Sequence, residues 1–229
     1  VLGFMPTFEQ LENPKANLAT EVYSDSGELM GYIGIQNRSN VTYKDISPNL
    51  INALVATEDA RFYEHSGIDF RSLLRVLTKT VLGGNKSSGG GSTLTQQLAK
   101  NLFPREQKST FGTVFAKLKE WVVAVKLERN YSKEEILSMY LNTVDYGSNA
   151  FGIKAASQIF FSKQPSELEV EEGAVLVGLL KAPTAYSPVR NPENAHRRRN
   201  VVLSQMQKYN YISEAECKEK IAKPIKLNY

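Results

Sequence analysis

The 229-residue chain is 41% hydrophobic and carries 28 Lys and Arg against 24 Asp and Glu, a balance that supports a substantial core and excludes a disordered polyelectrolyte. A net charge of +4 favours anionic partners, whether phosphates, lipid or nucleic acid, without choosing among them. One cysteine, Cys217, and two histidines, His65 and His196, exclude a disulfide framework, a cysteine-rich zinc site and a histidine metal cage.

Residues 1–19 read as an irregular lead-in, and "TEVYSDSGELMGYIGI" then alternates about a Ser-Gly turn, predicting a short hairpin or extended arm. From Ser47 onward the period is helical. Ser47 and Pro48 form a helix start and Gly67 a stop, which predicts one helix over 48–65. On that helix Ile51, Leu54, Val55 and Phe62 make an apolar stripe with Glu58 in its middle, whereas Asp59 and Arg61 point to either side. Of the two adjacent acids only Glu58 is then placed to be desolvated. Burial disfavours a charged carboxyl and moves it toward proton exchange near neutrality; the competing reading is a glutamate held by Arg61 three residues on.

A second helix is predicted over 69–82, followed by a loop, "GGNKSSGGGS", at 83–92. Thr93 and Gln96 have capping-box spacing for a helix over 93–102. Capping leaves Gln97 unexplained, and Ser92, Thr93, Thr95 and Gln96 form an inventory of uncharged donors suited to a hydroxyl-rich or phosphate ligand. The next helix, 111–130, has an apolar face of Phe111, Val114, Phe115, Leu118, Val122 and Val125, with Glu120 opposite and Lys117 one turn before it. A solvated ion pair is the plain reading of those two charges. Lys100 to Asn130 holds seven basic and three acidic residues among aromatics, a surface suited to anionic lipid; an amphipathic core helix is the competitor.

Further helices are predicted over 132–142, 149–161, 167–181 and 192–208. "GAVLVGLL" at Gly173 to Leu180 is core-sized and too short to span a bilayer. "HRRRN" at His196 to Asn200 reads as a solvated basic face or a phosphate contact. Cys217 reads as a buried structural thiol.

Taken together, "EDARFYEHSG" (Glu58 to Gly67), "GGSTLTQQLAKN" (Gly90 to Asn101), "KLKE" (Lys117 to Glu120), "YLN" with "YGSNAFGIKAAS", and "ELEVEEGAVLVGLLKAPTAYSP" resemble, in order, the five motifs of the peptidoglycan glycosyltransferase domain of class A penicillin-binding proteins. One departure stands out: Ala116 occupies the position where that family usually has an arginine, so phosphate-binding charge there must come from Lys119, Arg129 or Lys100. The resemblance implies a mainly α, lysozyme-like fold with two lobes, a head and a membrane-touching jaw, over 47–229, with 1–46 as an arm following a membrane helix. It implies polymerisation of lipid II with inversion and release of undecaprenyl pyrophosphate. Glu58 would be the base, and Glu120 a second catalytic carboxylate beside Lys117. Asp59, Phe62, His65, Ser92, Thr93, Gln97, Lys100, Lys117 and Asn142 would form the substrate-binding set. No organic cofactor is implied; Glu120 would either orient Lys117 or bind a divalent cation, Mg2+ or Mn2+. Implied partners are lipid II, the growing glycan chain, the outer leaflet of the cytoplasmic membrane and a linked transpeptidase domain, with no nucleic acid. A lysozyme-like hydrolase, in which Glu58 acts as an acid, and a noncatalytic wall-binding module are the rival readings.

Overall fold

The computed structural model describes residues 20–23, 29–33, 40–83, 91–103 and 110–229. The lead-in at 1–19 and most of the glycine-rich run lie outside the described residues. β1 (Thr20–Tyr23) and β2 (Leu29–Ile33) pair antiparallel, with Thr20 opposite Ile33 and a register shift after Val22. The expected hairpin is therefore present.

The rest is helical: α1 (Pro48–Glu58), α2 (Phe70–Gly83), α3 (Leu94–Leu102), α4 (Thr110–Asn130), α5 (Lys133–Thr143), α6 (Ile153–Phe161), α7 (Val170–Leu179), α8 (Pro192–Lys208) and α9 (Glu214–Ala222). Among the described residues, Glu58 to Tyr140 form one compact unit; the hairpin, 40–57 and those from Leu141 to Tyr229 belong to the other. Among the described residues no helix is long and apolar enough to cross a membrane.

Three expected boundaries move. α1 ends at Glu58 rather than running to His65, and the chain turns into a short 3-10 segment, Phe62–Glu64. α6 begins at Ile153, because Ser148 and Asn149 take positive φ in a turn closed by the Asp145–Phe151 bridge. Local hydrogen bonding by Ser and Asn competes with helix at such positions. α7 begins at Val170, after a separate 3-10 turn at Pro165–Glu167.

In the second unit, α7 lies at the centre. Gly173 to Leu179 are all buried, as expected of a helix that is apolar on every side. It packs along α8, and α9 packs back on α8. A Cβ at Gly173 would come within 3.2 Å of the Leu50 Cα, so glycine permits the close approach of α7 to α1. Ser47 joins the same region, its hydroxyl donating to the Leu168 carbonyl at 2.8 Å. Helix α9 was absent from the sequence expectation. Its signal was there to read: Ser213 caps it, accepting from the Glu216 amide at 3.1 Å. Cys217 on α9 is buried, and burial followed by the charge of Glu214 pushes its thiol pKa up, as fits a structural cysteine.

The basic run on α8 is not a uniformly solvated face. Arg197 is exposed, but Arg199 is fully buried and donates to the carbonyls of Lys223 at 2.7 Å and Ile221 at 3.1 Å. It satisfies carbonyls at the end of α9 that no later helical amide reaches. Arg199→Met should therefore destabilise the protein by about 3 kcal/mol, the cost of stranding charged-group hydrogen bonds in a buried site. That loss corresponds to a fall in melting temperature on the order of 10 °C. Thermal unfolding followed by circular dichroism checks it; a melting point within a degree of wild type would contradict it.

Candidate active site

The sequence predicts that Asp59 continues a helix; instead its carboxylate leaves the helical path. It accepts from the Leu94 amide at 3.0 Å and from His65 Nε2 at 2.9 Å. Leu94 is the first residue of α3, so an anion sits on the positive end of that helix. Phe62 follows in the turn with its ring fully buried under Lys133, whose Nζ lies 4.3 Å from the ring centroid. These anchors stop α1 and reverse the expected environments of the two acids: Asp59 is 7% exposed, whereas Glu58 is half-buried. Arg61 does not hold Glu58; it pairs with Asp69.

Glu58, the last residue of α1, takes its partner from α3. Gln97 Nε2 donates to Glu58 Oε2 at 3.1 Å, and the same amide's Oε1 accepts from the Tyr140 hydroxyl at 3.1 Å. Burial, and then the charge of Glu58, push the Tyr140 phenol well above its usual pKa, so it stays a neutral donor.

The start of α3 is fixed from below. Thr93 caps it, accepting from the Gln96 amide at 3.1 Å and donating to the Gly67 carbonyl at 2.8 Å. Gln96 Nε2 donates to the same carbonyl at 3.2 Å instead of closing a capping box. Gly67 has φ +90°, and a Cβ there would lie 2.9 Å from the Ala124 carbonyl carbon and oxygen. Thr95 donates to Glu128 at 2.6 Å, and Lys133 Nζ joins Glu128 at 2.8 Å to the His65 carbonyl at 2.6 Å. Thr93, Thr95 and Gln96 thus serve the scaffold through these bonds.

A second cluster lies on α4. Lys117 Nζ donates to Glu120 Oε2 at 2.9 Å and to Ser92 Oγ at 2.9 Å. Glu120 is 6% exposed and shares the buried side with Val123, Ala124 and Leu127, which follow it at i+3, i+4 and i+7. Glu120 is thus not part of a solvated ion pair, and the exposure of Phe115, Leu118 and Val122 at 47%, 51% and 41% goes with the lipid-facing reading of α4 rather than with the amphipathic core helix. Periodicity identifies residues that share a face but not the face that turns inward. The side chains of Phe111 and Val114 lie outside the described residues. On α2, Phe70 and Leu74 are likewise exposed.

Both clusters meet one short stretch of chain, since Ser92 receives Lys117 and Gln97 donates to Glu58. Leu94 to Gln97 is a single helical turn, with a rise of about 1.5 Å per residue. Lys100 is exposed in the last turn of α3. Asn142 belongs to the other unit, its amide accepting from the Val41 N–H at 3.0 Å and donating to the Val41 carbonyl at 2.9 Å. A surface pocket of about 490 Å³ lined by Arg61, His65, Phe70 and Arg71 includes neither Glu58 nor Lys117. Tyr140, Glu128 and Lys133 were not singled out from sequence as site residues. Tyr140 stands in the quoted "YLN" motif, whereas Glu128 and Lys133 straddle a helix break and carry no local signature.

A family model described as transglycosylase matches residues 26–207. The chain is 41% identical over 227 residues to penicillin-binding protein 1A of Aquifex aeolicus, covering 96% of this chain and 31% of that one. It is 37% identical over 225 residues to penicillin-binding protein 1A of Escherichia coli, covering 98% and 26%. The crystal structure of penicillin-binding protein 1A from Haemophilus influenzae matches with a TM-score of 0.53 and 25% identity, over 93% of this chain and 21% of that one. The chain thus spans between a quarter and a third of the length of the two relatives compared by sequence.

Proposed function

Because the chain belongs to the transglycosylase family, we propose that it polymerises lipid II into β-1,4-linked glycan strands with inversion at the anomeric carbon. The observation that carries this reading is the single stretch Ser92–Gln97, which holds a half-buried carboxylate at one end and an ammonium–carboxylate pair at the other. The reaction needs those two groups together: one accepts a proton and the other offsets charge on a departing pyrophosphate.

Glu58 takes the proton of the acceptor sugar's 4-hydroxyl as that oxygen attacks the anomeric carbon of the growing chain. The bond from that carbon to the pyrophosphate oxygen breaks on the opposite face. The electron pair leaves with undecaprenyl pyrophosphate, and Lys117 offsets the growing charge. Glu120, buried and bonded to Lys117, orients the ammonium. Among the described residues no three His, Cys, Asp or Glu side chains gather to hold an ion, and Glu120 has a lysine where a second anionic ligand would be needed. That donor set does not fit a resident divalent cation.

Lys119 supplies the charge missing at Ala116. The two lie at i and i+3, one turn apart on a shared face, whereas Arg129 is about 20 Å farther along the helix at 1.5 Å per residue. Ala116→Arg should lower the KM for lipid II several-fold with kcat little changed; an unchanged or raised KM would argue that the position no longer faces phosphate.

The exposed apolar side chains of α2 and α4 suit a surface resting on the outer leaflet of the cytoplasmic membrane, where a lipid-anchored substrate is held. A membrane helix and a transpeptidase domain are the proposed companions in a full-length protein, on the extracytoplasmic face. The test is incubation with purified lipid II in detergent, following glycan polymer and released undecaprenyl pyrophosphate. Polymer with stoichiometric release supports the transferase. Fragments released from pre-formed glycan, without polymer, would mark a hydrolase, and neither product would leave a binding module.

A further inference from the structure

We propose that Tyr140 is a positioning residue for the reaction, acting on Glu58 through the side-chain amide of Gln97. The inference rests on the reading of Glu58 as base and names a residue beyond those motif matching assigned to the chemistry. Three helices contribute one group each: Glu58 ends α1, Gln97 lies on α3 and Tyr140 on α5. The contacts are 3.1 Å from Tyr140 Oη to Gln97 Oε1 and 3.1 Å from Gln97 Nε2 to Glu58 Oε2.

An amide has an accepting end and a donating end. Tyr140 is buried and gives its hydroxyl hydrogen to the Gln97 carbonyl, which leaves the amino end directed at Glu58. The ionised carboxylate is the form that end favours, and it is the form a base must have before it takes a proton. The amide is held at both ends between two helices, so the carboxylate it touches has a fixed direction as well as a fixed charge. Without the hydroxyl, the amide is free to rotate and present its carbonyl to the carboxylate, which repels it. Misplacing a reacting group costs rate far more than it costs binding.

The experiment compares wild type, Tyr140→Phe, Gln97→Ala and the double variant on lipid II, with kcat, KM and melting temperature for each. Tyr140→Phe is expected to lower kcat about tenfold with KM within about twofold and a melting temperature close to wild type. The double variant is expected to be no slower than Gln97→Ala alone, because a residue acting through Gln97 has nothing to add once Gln97 is gone. A Tyr140→Phe enzyme with wild-type kcat overturns the proposal, as does a double variant slowed by the product of the two single effects. Loss of rate matched by loss of folded protein also overturns it. A wild type that makes no polymer overturns the reading of Glu58 itself, an outcome distinct from all of these.

Discussion

Glu58→Gln is expected to slow lipid II polymerisation about 1,000-fold, within the range general base catalysis contributes, with little change in melting temperature. The substitution keeps the shape of the side chain and keeps an oxygen that can accept from Gln97 Nε2, now at 3.1 Å from Glu58 Oε2. What it removes is the capacity to take a proton. Because Lys117, Glu120 and Ser92 make their own contacts on α4 and before α3, the proposed pyrophosphate side is untouched and KM for lipid II should hold within a few-fold. Initial rates of polymer formation over a lipid II series measure both. A variant that keeps a tenth of the wild-type kcat would remove Glu58 as the base.

Gly67→Ala is expected to cost about 2–4 kcal/mol, the sum of placing a side chain at positive φ and forcing it against backbone. The added methyl would stand 2.9 Å from the Ala124 carbonyl carbon and oxygen, at φ +90°, and neither main-chain atom can rotate away. The Gly67 carbonyl also receives Thr93 and Gln96, so a displaced Gly67 would move the start of α3 and with it Gln97. Melting temperature should fall on the order of 10 °C, and the folded fraction should polymerise poorly even below the transition. A variant with wild-type stability and rate would show that the 2.9 Å approach is relieved at no cost.

Helix positions were largely legible in the sequence, because capping residues and apolar period act locally: Thr93 opens α3 and Pro48 opens α1 where their chemistry says they should. The end of α1 was not legible. Nothing in the sequence around Asp59 says that its carboxylate will leave the helix for an amide thirty-five residues on. The choice between the two readings of α4, a lipid-facing surface and an amphipathic core helix, was open for a related reason, and the solvated pairing expected of Glu120 failed. Phe115, Leu118 and Val122 look like a core stripe, and only the tertiary placement of Glu120 beside Val123 and Leu127 turns them outward. At the site, the motif resemblance named Glu58, Gln97, Lys117 and Glu120. It could not say that Gln97 meets Glu58, that Phe62 is sealed in packing, or that Asn142 serves Val41. Those are long-range pairings, and spacing along the chain carries no information about them.

Among the described residues, Glu58 and Tyr140 are also those at which the chain enters and leaves the first unit. Topologically, 58–140 is an insertion in the other unit's sequence, and the amide of Gln97, from its middle, bridges its two ends. The amide that touches Glu58 is held at its other end only when Tyr140 has returned, which ties the placing of the proposed proton acceptor to completion of this unit's fold.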